Sequence, residues 1–296
     1  MSRRMNVYYN AVLGAMGGLF GWVVLGALIQ VESVEIYLRS AIQGAVVGFL
    51  VGALVGCVEG VLNGNKRQLL RGLQRGSLLG LVGGAIGLTA GELALHVIGG
   101  GYAARSIGWA LFGLLVGVGE GQANRSPRKA RYGAVGGMAG GFIGGLLLEA
   151  IAQQGVTAQS ATRGVGLVIL GACIGSLLAA VSEIFVQARL LVLIGPKEGR
   201  EYTLDRAQTS VGSNDACDVY LPGDAGIERV HAYIRRDKHG LMVQPASPTA
   251  GIAVNGQPIP PDGTPLPDGA RLTIGRTVLK VHVLHEKATV AHAAPA

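Results

Sequence analysis

Charge is scarce in this chain. Asp, Glu, Lys and Arg make up 15% of its 296 residues against 49% hydrophobic residues, and the mean hydropathy is +0.42. That balance excludes a soluble domain over the whole length and is a membrane composition. Aromatic residues are also few, at 5%. The net charge of +7 therefore has no aromatic-interleaved basic stripe beside it, and nucleic acid is excluded as a partner. The three cysteines, Cys57, Cys173 and Cys217, form no CxxC pair. This argues against a disulfide framework or a zinc site and leaves them as small buried hydrophobes. The sequence carries no phosphate-binding glycine loop, no HExxH, no G-x-S-x-G and no metal-spaced His/Cys set. It thus predicts no enzyme, no cofactor and no metal.

Proline is almost missing from one half. Only Pro127 of 11 prolines precedes residue 190, whereas 38 of 49 glycines do. The composition predicts a boundary near Arg189, with a Gly-rich apolar domain over 1–189, a polar domain over 190–284 and a disordered tail over 285–296 (HEKATVAHAAPA).

The first domain holds six apolar stretches, at 10–31, 41–62, 77–98, 106–122, 133–152 and 164–186, read as membrane-spanning helices. The first is too long for a signal-peptide core and no A-x-A site follows it. Eight cations follow the even spans: Lys66, Arg67, Arg71 and Arg75, then Arg125, Arg128, Lys129 and Arg131. The alternate loops carry only Arg39, Arg105 and Arg163 at span edges. This asymmetry predicts a multi-pass protein of a bacterial-type inner membrane with both termini in the cytoplasm. Tyr8, Tyr9, Tyr37, Tyr102 and Tyr132 lie near span ends, as an interfacial belt does.

The spans repeat. GAMGGLFG (Gly14, Gly17, Gly18, Gly21), GLVGGAIG (Gly80, Gly83, Gly84, Gly87) and GAVGGMAG (Gly133, Gly136, Gly137, Gly140) all fit G-x-x-G-G-x-x-G, one in each odd span. Even spans share GALVGCVEG and GLLVGVGEG, echoed by Gly171, Gly175 and Glu183. The pattern predicts three tandem helical hairpins. At about 100° per residue each glycine quartet lies on one narrow face, which lets helix backbones approach where lipid supplies no hydrophobic force. Tight packing is one reading of these faces; a pore or ion path lined by them is the other. Glu59 and Glu120 lie on the glycine faces of their helices and Glu183 beside one, within about a turn of the predicted cytoplasmic ends. They read either as helix-end groups reaching water or a loop arginine, or as an ion pathway. Glu92, His96 and Glu149 lie in the outer half.

From Leu190 the pattern changes to short β runs: LLVLIG, REYTL, DVYL, HAYIRR, GLMVQP, IAVNG, RLTIG and VLKVHV, punctuated by Gly, Pro and Asp. These predict an all-β sandwich. Residues carrying a family resemblance run through it in order: Gly195, Gly199, Tyr202 and Leu204; Val211-Gly212; Cys217-Asp218-Val219-Tyr220-Leu221; Arg229-Val230-His231-Ala232; Val254-Asn255-Gly256; Leu266; Asp268-Gly269; Ile274-Gly275. By order and spacing residues 190–284 resemble the forkhead-associated (FHA) domain family. The resemblance implies a sandwich with recognition loops at one end. It covers about a third of the chain.

The departures from the family bear on function. In phosphothreonine-reading members an arginine follows the glycine corresponding to Gly212; here Ser213 stands there. The serine before R-x-H is Glu228, in IERVHAYI, and the asparagine of the N-G-T turn is Ala250. Three polar grips on phosphate and peptide are gone, while Gly212, His231, Asn255 and Gly256 read as scaffold. Arg229 remains; the resemblance assigns it a fold-supporting role, with contact to an anion as the alternative. A lost charge-assisted bond costs about 1.5–3 kcal/mol, and a carboxylate facing a phosphate adds repulsion. The expected protein is thus multi-domain: a Gly-rich α-helical membrane domain of six helices in three hairpins, followed by an FHA-like sandwich. Its expected role is a membrane scaffold that docks a cytosolic or membrane protein without phosphate, in contact with lipid and open to homo-oligomerisation. Phosphate-independent FHA-like domains of this kind resemble those in the membrane rings of bacterial secretion systems. The alternatives are a channel or transporter regulated by the FHA-like domain, and a membrane-bound phosphothreonine reader. Arg235, Arg236 and Lys238 read either as a solvated strand edge or as a contact for anionic headgroups.

Overall fold

A computed structural model describes residues 3–27, 35–98, 102–123, 126–153, 159–237 and 240–284. The tail at 285–296 and Lys238 lie outside the described residues. The chain forms two compact units, Met1–Phe185 and Val186–Ala296. The second opens ahead of Arg189 because Ala188 and Arg189 already pair with Val283 and His282 in a sheet.

The first unit has six helices: α1 Arg3–Ala27, α2 Ile36–Asn63, α3 Lys66–Ile98, α4 Tyr102–Ala123, α5 Pro127–Gln153 and α6 Gln159–Ile184. Local chemistry sets several ends. Glu35 accepts the Tyr37 and Leu38 N–H groups at the start of α2, and Gly64, at φ 56°, closes it in the left-handed region. Asn65 caps the Gln68 N–H of α3 at 3.1 Å, and Ser126 caps the Lys129 N–H of α5 at 3.1 Å, with Pro127 at the first helical position.

Among the described residues five of the helices are long and apolar enough to cross a membrane; α4 is not one of them. The six helices expected from the sequence are all present. α4 is the shortest of the six helices, at 22 residues, and Arg105 and Glu120 bracket its apolar stretch.

Each helix packs on its neighbours in chain order, and α1 also packs on α6, so the helices close into a ring. The glycine quartets explain how. Each quartet is divided into two ridges that meet different neighbours. Gly14 and Gly18 abut α6, while Gly17 and Gly21 abut α2. Gly80 and Gly84 abut α2, while Gly83 and Gly87 abut α4. Gly133 and Gly137 abut α4, while Gly136 and Gly140 abut α6. A methyl group on Gly84 would overlap the Gly44 carbonyl oxygen, and one on Gly44 would overlap that of Gly84. Gly48/Gly80, Gly52/Gly76 and Gly56/Gly72 make the same reciprocal contact along α2 and α3. On the second ridge, a methyl on Gly136 would stand 2.8 Å from the Leu178 Cα. The even helices fill the interior. Val47, Val51 and Val55 of α2, Trp109, Phe112 and Val116 of α4, and Leu167, Leu170, Ile174 and Leu178 of α6 form one buried apolar cluster.

Among the described residues the second unit is a sandwich of eleven strands: β1 Ala188–Ile194, β2 Glu201–Thr203, β3 Gln208–Gly212, β4 Val219–Tyr220, β5 Ala232–Asp237, β6 Gly240–Pro245, β7 Ile252–Val254, β8 Gln257–Pro258, β9 Thr264–Pro265, β10 Arg271–Ile274 and β11 Thr277–Val283. One sheet runs β2-β1-β11-β10-β7-β8 and the other β4-β3-β5-β6-β9. Strands β3, β8 and β9 were not evident as apolar runs; β8 and β9 are two residues each, too short for alternation to register. Alternate residues point inward, as in Ala188, Leu190 and Val192 of β1 and Thr277, Leu279 and Val281 of β11. Antiparallel pairing of β5 with β6 and of β10 with β7 places the β4–β5 and β6–β7 loops at one end, and the Asn255-Gly256 turn at the other.

Candidate docking site

Three loops make the recognition end: 213–218 after β3, 221–231 after β4, and 246–251 after β6. Gly212 ends β3 so close to the second loop that a side chain there would overlap the Arg229 carbonyl. Ser213 then spends its polarity locally: its N–H and its Oγ each donate to the Glu228 carbonyl at 3.0 Å. Asn214 N–H donates to the Arg229 carbonyl at 3.1 Å. His231, 2% exposed, ties the second and third loops together. Its Nδ1 accepts the Glu228 N–H at 3.1 Å, which leaves Nε2 to donate to the Gly251 carbonyl at 3.2 Å. Arg229 acts on the fold through its carbonyl; its side chain is exposed.

The Glu228 side chain reaches the third loop. Its Oε2 accepts from Ser247 Oγ at 2.9 Å and its Oε1 from Thr249 Oγ1 at 3.0 Å, and the two hydroxyls stand 3.0 Å apart. The Ser247 bond first, then that of Thr249, holds the Glu228 carboxyl below the usual carboxylate range. The position of the family's phosphate-facing serine therefore carries a fixed negative charge that occupies two hydroxyls. Ala250, 9% exposed, presents a methyl group and no side-chain donor. Asn255 and Gly256 sit at the far end. Asn255, at φ 53°, is the one non-glycine residue with positive φ among the described residues, and its Oδ1 accepts the Arg271 N–H at 2.9 Å.

Asp224 was missed by sequence reasoning and is central to the loop architecture. It is 8% exposed and accepts the Gly226 N–H at 3.0 Å, the Arg276 N–H at 2.8 Å and the Thr277 hydroxyl at 3.0 Å. Burial alone would push its carboxyl up; these donors outweigh burial and hold it down. The second loop is thereby pinned to the β10–β11 turn. Its signal in sequence is faint: an Asx-type Asp-x-Gly in a loop.

The membrane-domain carboxylates are engaged with side chains. Lys129 Nζ lies 2.5 Å from Glu59 and 3.0 Å from Glu120, joining α2, α4 and α5. Glu183 accepts from Asn6 at 2.7 Å. In the other half, Arg105 lies 3.3 Å from Glu92 and 3.5 Å from Glu149. Among the described residues no three His, Cys, Asp or Glu side chains cluster as metal ligands.

Comparisons with known proteins bear on the second unit. Residues 191–285 match the family described as the inner membrane component of T3SS, cytoplasmic domain. The glycogen accumulation regulator GarA of Mycobacterium tuberculosis is 33% identical over 89 residues, 30% of this chain and 53% of that protein. The chain thus spans about half the length of the curated relatives it matches. The solved FHA domain of FhaA, complexed with the intracellular domain of Rv3910, is 26% identical over 32% of this chain and 99% of that one, with a TM-score of 0.29. The cytoplasmic domain of the T3SS sorting platform protein PscD from P. aeruginosa is 22% identical over 34% of this chain and 82% of that one, with a TM-score of 0.30. The C-terminal domain is FHA-like, and it follows six helices, five of them apolar enough to cross a membrane.

Proposed function

We propose that this protein is an inner-membrane adaptor whose FHA-like domain docks a protein partner without phosphate. The observation that carries this reading is the Glu228 carboxylate held by Ser247 and Thr249 where phosphate-reading relatives offer a serine hydroxyl. A phosphate of about −2 charge brought there meets a like charge, and Ser213 supplies no guanidinium to offset it. The T3SS inner-membrane match and the apolar helices support the membrane location. The cations clustered in the N-terminal turns of α3 and α5 support cytoplasmic termini. The buried apolar cluster contributed by the even helices supports packing over conduction for the glycine faces.

The test is titration calorimetry of the full chain in nanodiscs against a phosphothreonine peptide and its unphosphorylated twin. Equal, negligible heats are expected. Phosphate-dependent binding that Arg229→Ala removes would overturn the reading.

A further inference from the structure

Ser213, Glu228 and His231 spend their polar side-chain groups within the recognition loops. A charged surface lies elsewhere on the sandwich, on the outer face of the β1–β11–β10 sheet. Alternate residues of these strands are buried in the core. The residues between them, Leu191 on β1, Val278 and Lys280 on β11, and Arg271 and Thr273 on β10, therefore point outward.

Register sets two cations side by side on this face. Arg271 and Lys280 are direct cross-strand partners. Like charges so placed repel and weaken a sheet. Arg271 is exposed and Lys280 half-buried, and among the described residues neither side chain has an ion pair or a hydrogen bond. Arg189, further along the face, differs: Glu201 holds it at 3.1 Å. Beside the two cations the face is aliphatic. Leu191 is the cross-strand partner of Lys280 on β1, and Val278 follows Lys280 by one outward position on β11, opposite Thr273. Two adjacent cations without an acid, next to a half-buried leucine, are complementary to carboxylates that flank an apolar side chain. Neighbouring strands stand about 4.8 Å apart and successive outward residues about 7 Å, a spacing that side chains of one segment match. The margins choose between a segment and a plane. Glu201 stands on β2 opposite Leu191, and Asp268 precedes Arg271 by three residues and accepts the Val283 N–H at 2.8 Å. A broad anionic plane such as a lipid surface meets these carboxylates together with the cations. A narrow acidic segment laid along β11 meets the cations between them.

We propose that Arg271, Lys280 and Leu191, on the outer face of this sheet, form the docking surface for an acidic segment of the partner protein, its carboxylates on the two cations and its apolar residue on Leu191. This rests on the adaptor reading above and names the partner's chemistry.

The experiment uses the full chain in phosphatidylcholine nanodiscs and a fluorescein-labelled peptide of glutamates around a central leucine, read by anisotropy. Binding is expected, weakened about tenfold by Lys280→Gln and by Arg271→Gln, as loss of one charge-assisted contact implies, and unmoved by Arg229→Gln in the recognition loops. Lys280→Gln also removes the repulsion with Arg271, so its melting temperature should equal or exceed the parent's; a lower one overturns the reading of Lys280 as an uncompensated charge. Lys280→Glu combined with Arg271→Glu should gain binding to the same peptide with lysine in place of glutamate, a gain that unfolding cannot produce. No binding of the acidic peptide, or binding indifferent to Lys280→Gln and Arg271→Gln, overturns the proposal. So does displacement by soluble short-chain phosphatidylglycerol as effective as by unlabelled peptide. If a phosphothreonine twin binds more tightly than the peptide itself and Arg229→Gln removes the difference, the phosphate-independent reading falls, while the response to Lys280→Gln and Arg271→Gln still decides the surface.

Discussion

Asp224→Ala should nearly unfold the FHA-like domain, although Asp224 lies in a loop. The side chain is 8% exposed and satisfies three donors: the N–H groups of Gly226 and Arg276 and the Thr277 hydroxyl, the last fully buried. Truncation leaves these donors without partners, and each buried donor so stranded costs about 1–3 kcal/mol. Allowing water to reach Gly226 and Arg276, which are exposed, the sum is roughly 4 kcal/mol, a large share of the 5–15 kcal/mol typical of a domain. For about 100 residues this lowers the melting temperature by roughly 20 °C. Both tryptophans, Trp22 and Trp109, lie in the helical unit, so the assay is far-UV circular dichroism of residues 186–284 produced alone. Asp268→Ala is the control, since exposed Asp268 accepts a single N–H, from Val283 at 2.8 Å, and should cost about 1 kcal/mol. The pH dependence has a definite sign. The folded Asp224 carboxyl is held below its ordinary value of 3.8, so its contribution is complete above that value and is lost as the pH falls beneath it. Asp224→Ala should erase that part of the acid transition. An Asp224→Ala domain within 1 kcal/mol of the parent, with an unchanged acid limb, would refute the argument.

Gly84→Leu should abolish folded yield in membranes, because a side chain there drives α3 off the Gly44 carbonyl of α2, whereas Gly26→Leu, with no atom of the described residues within 4 Å, should express normally; equal yields in detergent gel filtration would count against the packing role. Combining Ser213→Arg, Glu228→Ser and Ala250→Asn should confer phosphothreonine-peptide binding that weakens with salt, measured by calorimetry; a folded triple variant that binds nothing would show that the loops differ from the family in backbone as well as side chains. Reporter fusions at Gly64 and Ala296 should both read cytoplasmic, and an extracytoplasmic signal at Ala296 would invert the topology.

What the sequence determined alone is what rests on local pattern. Run length and hydropathy marked the helices, and the change to short punctuated runs marked the sandwich. The ordered FHA residues named that fold, and the departures at Ser213, Glu228 and Ala250 were readable one position at a time. The tertiary structure decided everything that depends on residues far apart in the chain. One glycine face on a helical wheel became two ridges only because two neighbours flank each odd helix in a closed ring. Lys129 meets Glu59 across 70 positions, and Glu228 finds its hydroxyls 19 and 21 positions later. Ile194 follows Val192 in the inward phase of β1, yet a register shift against β11 leaves it in solvent. Periodicity carries the direction of a side chain relative to its own backbone. Which partner stands in that direction is set by loop closure and packing, which no window of neighbouring residues contains.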